Sequence, residues 1–297
     1  VNLATVARGG DAGSPQRQRP NRRHLGLLPL LVFYAALLVY PMCLVASRAF
    51  TSADTGAFTL ENFTRLVTEP VFRNVIVDTL RVATITTVCC VVLGYTVAYV
   101  ICHLGPMGRF LEALVIIPLM TSVLVRAFVW IALLEDRGIV NTTLMKIGIT
   151  DAPITLVYNE TGVLIGMVHV MLPFTIIPMI AVFRSIDPRL AQASESLGAN
   201  PWSTFWRVYL PLSMPGVAAG GALCFVLSLG FFTTPAMLGG GQTMLLAQLI
   251  DVQIQRLLQL NQASALALSL VVLALIVWLL VTALRRVRRL TGTDRAQ

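Results

Sequence analysis

Charge is what this chain has least of. Asp, Glu, Lys and Arg together make up 12% of its 297 residues, against about 25% in an average soluble domain. Lysine is nearly missing: Lys146 stands alone, and every other fixed cation is an arginine. The three histidines, His24, His103 and His169, are too isolated to form a metal site. Five cysteines (Cys43, Cys89, Cys90, Cys102, Cys224) fall inside apolar runs without metal-ligand spacing, and are expected as small core residues. No G-x-x-x-x-G-K-[ST] loop occurs, which excludes ATP binding of that kind, and no H-E-x-x-H motif occurs either. No metal or other cofactor is expected.

What fills the chain instead is apolar: 56% of the residues are hydrophobic and the mean hydropathy is +0.79. That composition is expected of a polytopic membrane protein. A span needs about 20 apolar residues to cross roughly 30 Å of hydrocarbon. Six segments qualify: 25–47, 79–102, 111–134, 161–183, 214–234 and 264–284. Residues 1–24, with "GSPQRQRPNRRH", lack the apolar content to fold alone and read as a disordered basic tail. The first apolar run exceeds the about 7–15 residues of a cleavable signal peptide, so a retained span is expected. The layout is then a tail over 1–24, a membrane domain over 25–290, and a short tail over 291–297.

The net charge of +8 invites a nucleic-acid reading, but the arginines cluster beside the apolar runs, as the positive-inside rule has it. With the N-terminus inside, fourteen of the 22 Lys and Arg lie in cytoplasmic segments, seven lie outside, counting Arg81 at the outer end of span two, and Arg126 lies deeper within a span. The acids divide the other way, five inside and nine outside. Both termini are therefore expected in the cytoplasm. The long outer loops cover roughly 48–78, 135–160 and 235–263. The first carries "FTLENFTRLVTEPVFRNVIVDTLRVA", whose spacing suits an amphipathic helix on the outer surface. Pro118, Pro173 and Pro178 are expected to kink spans three and four and to open a cavity near mid-membrane.

One polar segment, "IDPRLAQASESLGANPWSTFWRVYLPLSMPG" over 186–216, falls on the cytoplasmic side. Asp187 followed by Pro188 is a helix start, and Gly198 offers the left-handed conformation that closes a helix. Asn200-Pro201 repeats the start, and the second helix is expected to end near Leu210, before "PLSMPG". Trp202, Phe205 and Trp206 are side chains that anchor protein interfaces; a loop resting on lipid headgroups is the other reading of the same composition.

The segment resembles the cytoplasmic loop of binding-protein-dependent ABC importer permeases: Glu-Ala-Ala, three residues, Gly, nine residues, Ile, one residue, Leu-Pro. Gln192-Ala193-Ser194, Gly198, Val208 and Leu210-Pro211 stand at every required spacing. Gln192 replaces the family Glu and Ser194 the second Ala, so a charge contact from position 192 is not expected. "ENFTRLV", "DTLRVA", "PLMTSVLVRAFVWIALL", "GIVNTTLMKIGI", "MLPFTIIPM", "GFFTTPAMLGGG" and "LAQLIDVQI" resemble the spermidine/putrescine-type branch, subunit one, from about residue 58 onward. The resemblance implies an all-α fold, the six-helix core of type I importers. It also implies a second permease, a cytoplasmic ABC ATPase dimer, an extracytoplasmic solute-binding protein and a loop seated in a groove of the ATPase. Asp187, Gln192, Ala193, Ser194, Gly198, Trp202, Phe205, Leu210 and Pro211 would form that coupling loop.

The solute implied is a polyamine, with iron, opines and phosphonates as the alternatives carried by related importers. An outer mouth bearing Asp78, Glu135, Asp136 and Asp251 would attract a cation. Tyr95, Tyr99, Phe128, Trp130 and Phe231 could pass it along aromatic faces. Arg126 opposes it, and Glu112 is the only carboxylate inside the six spans. Arg126 stands eight residues from Leu134, about 12 Å along a helix, so it can snorkel outward; it reads either as a lining residue or as half of a structural ion pair. His169 is expected as a hydrogen-bonded packing residue. "LGGGQ", 238–242, imitates an ABC ATPase signature, but no Walker motif accompanies it and the charge count places it outside. An intramembrane enzyme is the rival from another class; His169, Ser228 and Arg126 supply no convergent constellation for it. A non-transporting scaffold is the third reading.

Overall fold

Apolar runs become helices because, in hydrocarbon, every backbone N–H and C=O must find its partner within the segment. The computed structural model describes residues 28–52 and 55–293, so the expected tail over 1–24 lies outside the described residues. Among the described residues there is no strand beyond an isolated bridge between Thr51 and Phe58. Two compact units divide the chain, residues 1–44 and 45–297. In the first, Leu28–Tyr34 (α1) passes through a π-helical turn, Ala35–Val39, into Tyr40–Ala49 (α2), which continues past the division. Its large apolar side chains, Phe33, Leu37 and Leu38 among them, are exposed, as suits contact with lipid.

The second unit opens with Glu61–Thr68 (α3) and Pro70–His103 (α4). The amphipathic segment expected on the outer surface is thus divided. Glu69 takes an extended conformation because a proline follows it, and only α3 stands apart. From Pro70 the chain runs without interruption into span two, which is longer than the 79–102 expected. Pro106–Ile116 (α5) continues through a 3₁₀ turn, Ile117–Met120, and breaks before Val123–Leu134 (α6). The span expected over 111–134, with a kink at Pro118, is therefore a pair of helical segments, Pro106–Met120 and Val123–Lys146, bent by 102°. Pro118, which lacks an N–H, lies in the 3₁₀ turn, and the chain leaves the helix just beyond it, at Thr121 and Ser122, both extended. Thr121 partly repairs the break, donating its hydroxyl to the Pro118 carbonyl at 2.7 Å.

Ile139–Lys146 (α7) follows, then Glu160–Phe183 (α8), an unbroken helix that carries Pro173 and Pro178 inside it. Pro118 thus interrupts its span, whereas Pro173 and Pro178 do not interrupt theirs. Arg189–Ser196 (α9) and Pro201–Thr204 (α10) make the cytoplasmic loop; a π-helical turn, Phe205–Tyr209, joins α10 to Leu210–Leu229 (α11). The second loop helix does not end near Leu210 as expected. The turn closes with the Leu210 N–H bonding the Phe205 carbonyl, five residues back. That wider winding gives Pro211 room to enter the helix without its ring striking the preceding turn. Thr233–Leu238 (α12), Leu246–Gln255 (α13) and Leu260–Thr293 (α14) complete the chain; "LGGGQ" forms the turn after α12. Among the described residues, five helices are long and apolar enough to cross a membrane, and the bent pair makes up to six.

Helices α4, α8 and α11 pack chiefly against one another and form the centre of this unit. Small residues permit it: a Cβ added at Gly220 would stand 2.5 Å from the Thr175 carbonyl oxygen, and one at Gly216 would stand 2.9 Å from the Val182 Cβ. Gly216 and Gly220 are a G-x-x-x-G pair, the spacing that brings helix backbones together in membranes. Of the cysteines, Cys90 and Cys224 are buried in this centre, Cys89 and Cys102 are half-buried, and Cys43 is exposed. The expectation of five core thiols thus holds for two, because the outward faces of a span contact lipid rather than core.

Candidate functional site

The cytoplasmic loop is built by its own start and stop signals. The Asp187 carboxylate accepts the Arg189 N–H at 2.9 Å, capping α9 although Pro188 occupies the formal cap position. At the other end Gly198 has φ +86°, and the Ala199 N–H reaches back to the Ser194 carbonyl at 3.2 Å. That bond and its left-handed glycine are a Schellman closure. The Asn200 side chain accepts the Ser203 N–H at 2.7 Å and starts α10. Ser194, where the family pattern has Ala, shares a hydrogen bond of 3.1 Å with the Thr204 hydroxyl and so ties α9 to α10. The departure reinforces the loop's shape.

Gln192 and Ala193 are exposed on α9, and the apolar side chains nearby are more so: Leu197 is 89% exposed and Trp202 is 71% exposed. Apolar side chains held out by a fixed turn are the anatomy of an interface. Leu210 is half-buried and Pro211 exposed at the inner end of α11. Phe205 turns inward. Its ring meets Tyr95 at 6.1 Å, Tyr99 at 5.8 Å and Tyr209 at 6.2 Å. Phe183 and His103 join the same group. The Ser213 hydroxyl donates to the Leu210 carbonyl at 2.8 Å, so the Tyr95 hydroxyl, 3.1 Å away, is the donor to Ser213. An aromatic column therefore runs from the loop to α4 and α11.

Two further contacts fix the inner ends. Arg184, just past α8, grips Glu112 of α5 through both guanidinium ends, at 3.1 Å and 2.5 Å. The hydrogen bond to Glu112, and secondarily its charge, raise the Arg184 pKa above its ordinary value. Sequence reasoning treated Glu112 as a lone intramembrane carboxylate; its partner lies 72 positions away, and no local pattern announces it. Tyr209, His103 and Phe183 were likewise missed, although the aromatic repeat at Trp202, Phe205, Trp206 and Tyr209 was visible.

The residues grouped as a translocation path separate into two places. Tyr95 and Tyr99 belong to the aromatic column at the loop. Trp130 and Phe231 pack on a different apolar cluster, formed by Val82, Ala127, Val163, Met167 and Leu238. Phe128 is exposed. Arg126, one helical turn before Trp130, is buried at 8% exposure, and its Nε and Nη1 have no hydrogen-bond partner. The ion pair is not found: no carboxylate among the described residues pairs with it. His169 packs its ring edge-on to Trp130 at 5.5 Å, and its Nδ1 is buried without a partner rather than hydrogen-bonded as expected. Ser228 on α11 and Thr234 on α12 are also buried with unpartnered hydroxyls.

A family model described as "Binding-protein-dependent transport system inner membrane component" matches residues 90–291. The chain is 35% identical over 226 residues to the spermidine/putrescine transport system permease protein PotB of Haemophilus influenzae, covering 74% of this chain and 78% of that one. It is 32% identical over 234 residues to PotB of Escherichia coli strain K12, covering 76% and 85%. Among solved structures, a bacterial ABC transporter that imports the acidic polysaccharide alginate aligns with a TM-score of 0.70 and 19% identity, over 89% of this chain and 94% of that one. At that identity the likeness concerns the fold.

Proposed function

This chain belongs to the binding-protein-dependent transport system inner membrane component family, and on that premise we propose that it is the permease subunit of a polyamine importer. It is a transport subunit rather than an enzyme, multi-pass in the inner membrane, and ATP hydrolysis belongs to a separate chain. The solute reading is carried by one observation, the 35% identity with a spermidine/putrescine permease across three quarters of the chain. A second permease, an ABC ATPase dimer and an extracytoplasmic binding protein complete the assembly. Both termini and residues 185–212 face the cytoplasm, which the charge asymmetry supports.

ATP-driven closure of the ATPases moves the loop around Gly198, and the aromatic column passes the movement to α4 and α11. The spans reorient and the cavity alternates between the two sides. A polyamine would be drawn to the acidic outer mouth over about a Debye length, roughly 8 Å, and would slide over ring faces at about 0.5–2 kcal/mol each. Binding that weak suits a path that must release its cargo.

Arg126 supports the second reading. A buried guanidinium with unpartnered N–H groups attracts an anionic solute, such as a phosphonate, more readily than a polyamine. Uptake of labelled spermidine and putrescine by the reconstituted importer with its binding protein decides between them. Saturable, ATP-dependent uptake is expected; uptake of an anionic or neutral solute with polyamines inert overturns the polyamine reading and leaves the permease assignment standing.

A further inference from the structure

Between the coupling loop and the inner ends of α4 and α8 lies a cleft of about 470 Å³. That size falls within the about 300–1,000 Å³ of small-molecule sites. Its walls include Phe183 and Tyr209, whose rings meet edge to face at 5.6 Å. Its polar groups are mostly acceptors. Asp187 uses one carboxylate oxygen for the Arg189 N–H, and no cation pairs with it among the described residues. His103 holds Nδ1 at 2.8 Å from the Tyr99 carbonyl. A carbonyl only accepts, so Nδ1 carries the hydrogen and Nε2 of the neutral ring is an acceptor. Gln192 adds an amide oxygen, and the Tyr209 hydroxyl is buried without a partner. The one arginine on the lining, Arg184, has its charge balanced by both oxygens of Glu112. The cleft therefore combines aromatic faces with an uncompensated carboxylate and spare acceptors.

From this chemistry we infer that the cleft is a binding site for an organic ammonium ion with an aliphatic stem. The methylenes lie on Phe183 and Tyr209, and the ammonium donates toward Asp187, His103 Nε2 and Gln192. Such a ligand, once bound, wedges between α9 and the π-helical turn, so its occupancy is felt by the element that meets the ATPase. The inference rests on the proposed function only for the side from which the ligand enters; the recognition chemistry stands without it.

Cys102 lines the cleft and is half-buried, which makes it a reporter. The assembled importer in lipid nanodiscs, with both faces open to solvent, is treated with 2-aminoethyl or 2-sulfonatoethyl methanethiosulfonate. Each rate is referred to the same reagent's rate with a free thiol, and Cys102→Ser gives the background. The cationic reagent is expected to label Cys102 on the order of tenfold faster than the anionic one, as a focused negative site requires. Added 1,4-diaminobutane should slow that labelling saturably. Asp187→Asn should bring the two rates together while leaving labelling by neutral methyl methanethiosulfonate unchanged. Tyr209→Leu should abolish the protection and Tyr209→Phe should keep it. Equal rates in the parent importer, or no protection by 1,4-diaminobutane, overturn the site. Faster labelling by the anion also overturns it and points to a phosphate-bearing ligand on Arg184. Uptake is not the readout, so a wrong solute assignment and a wrong site give different results.

Discussion

Gly198 and the Glu112–Arg184 pair show what single side chains decide here. A Cβ at Gly198 would meet nothing within 4 Å, so any loss on substitution comes from the backbone alone, at φ +86°. Left-handed geometry costs an L-residue about 1–2 kcal/mol, least for Asn, most for a β-branched residue. Gly198→Val should assemble in the membrane but lose ATPase co-purification and uptake, while Gly198→Asn retains most of both. If the valine variant transports normally, the glycine has no conformational role. The Arg184 side chain is 48% exposed, so its pair with Glu112 contributes no more than about 1 kcal/mol to stability. Its role is to hold α5 against the end of α8. Glu112→Arg alone should therefore depress uptake, and adding Arg184→Glu should restore much of it; failure of the double variant to exceed the single one refutes the pairing.

At the scale of elements, the contact between α8 and α11 is set by missing side chains. A Cβ at Gly220 would stand 2.5 Å from the Thr175 carbonyl oxygen, whereas one at neighbouring Gly221 would meet only side-chain methyls, Val91 at 3.2 Å and Thr87 at 3.9 Å. Backbone cannot yield as a methyl group can, and overpacking costs about 1–3 kcal/mol. Gly220→Ala should lower the detergent-solubilised melting temperature clearly and Gly221→Ala should leave it nearly unchanged. Equal effects would mean that α11 approaches α8 differently. The π-helical turn has a related logic: by absorbing one extra residue per turn it admits Pro211 and keeps the loop and α11 a single lever.

For the whole molecule the open quantity is its orientation across the bilayer. Fourteen Lys and Arg on one side against seven on the other is a bias that insertion reads directly. Ser203 sits on the loop and engages it through its backbone N–H, so Ser203→Cys should preserve the fold. In intact cells of a strain lacking the outer barrier, a membrane-impermeant maleimide should leave that cysteine unlabelled, and labelling should appear once the membrane is opened. Efficient labelling from outside would invert the topology and remove the loop from any cytoplasmic ATPase.

The sequence by itself determined the helices, the approximate spans and the loop, because each rests on local rules. Apolar length, the caps at Asp187 and Asn200, and a glycine at a helix stop act within a few residues. It misplaced the end of the second loop helix, and the kinks it expected alike at Pro118, Pro173 and Pro178 became a 102° break in span three and an unbroken α8, since a proline's effect depends on what can be rewound around it. Pro211 found a π-helical turn, Pro118 found none, and Pro173 and Pro178 left α8 whole. Only the tertiary structure decided that Arg184 answers Glu112, that Tyr95 and Tyr99 belong with Phe205 rather than with Trp130, and that Arg126 lies buried without an acid. Those are pairings between distant helices, and the physical reason is that packing chooses which faces meet. An apolar pattern names the face that avoids water, but in a membrane both lipid and neighbouring helices accept that face, so it does not name the partner.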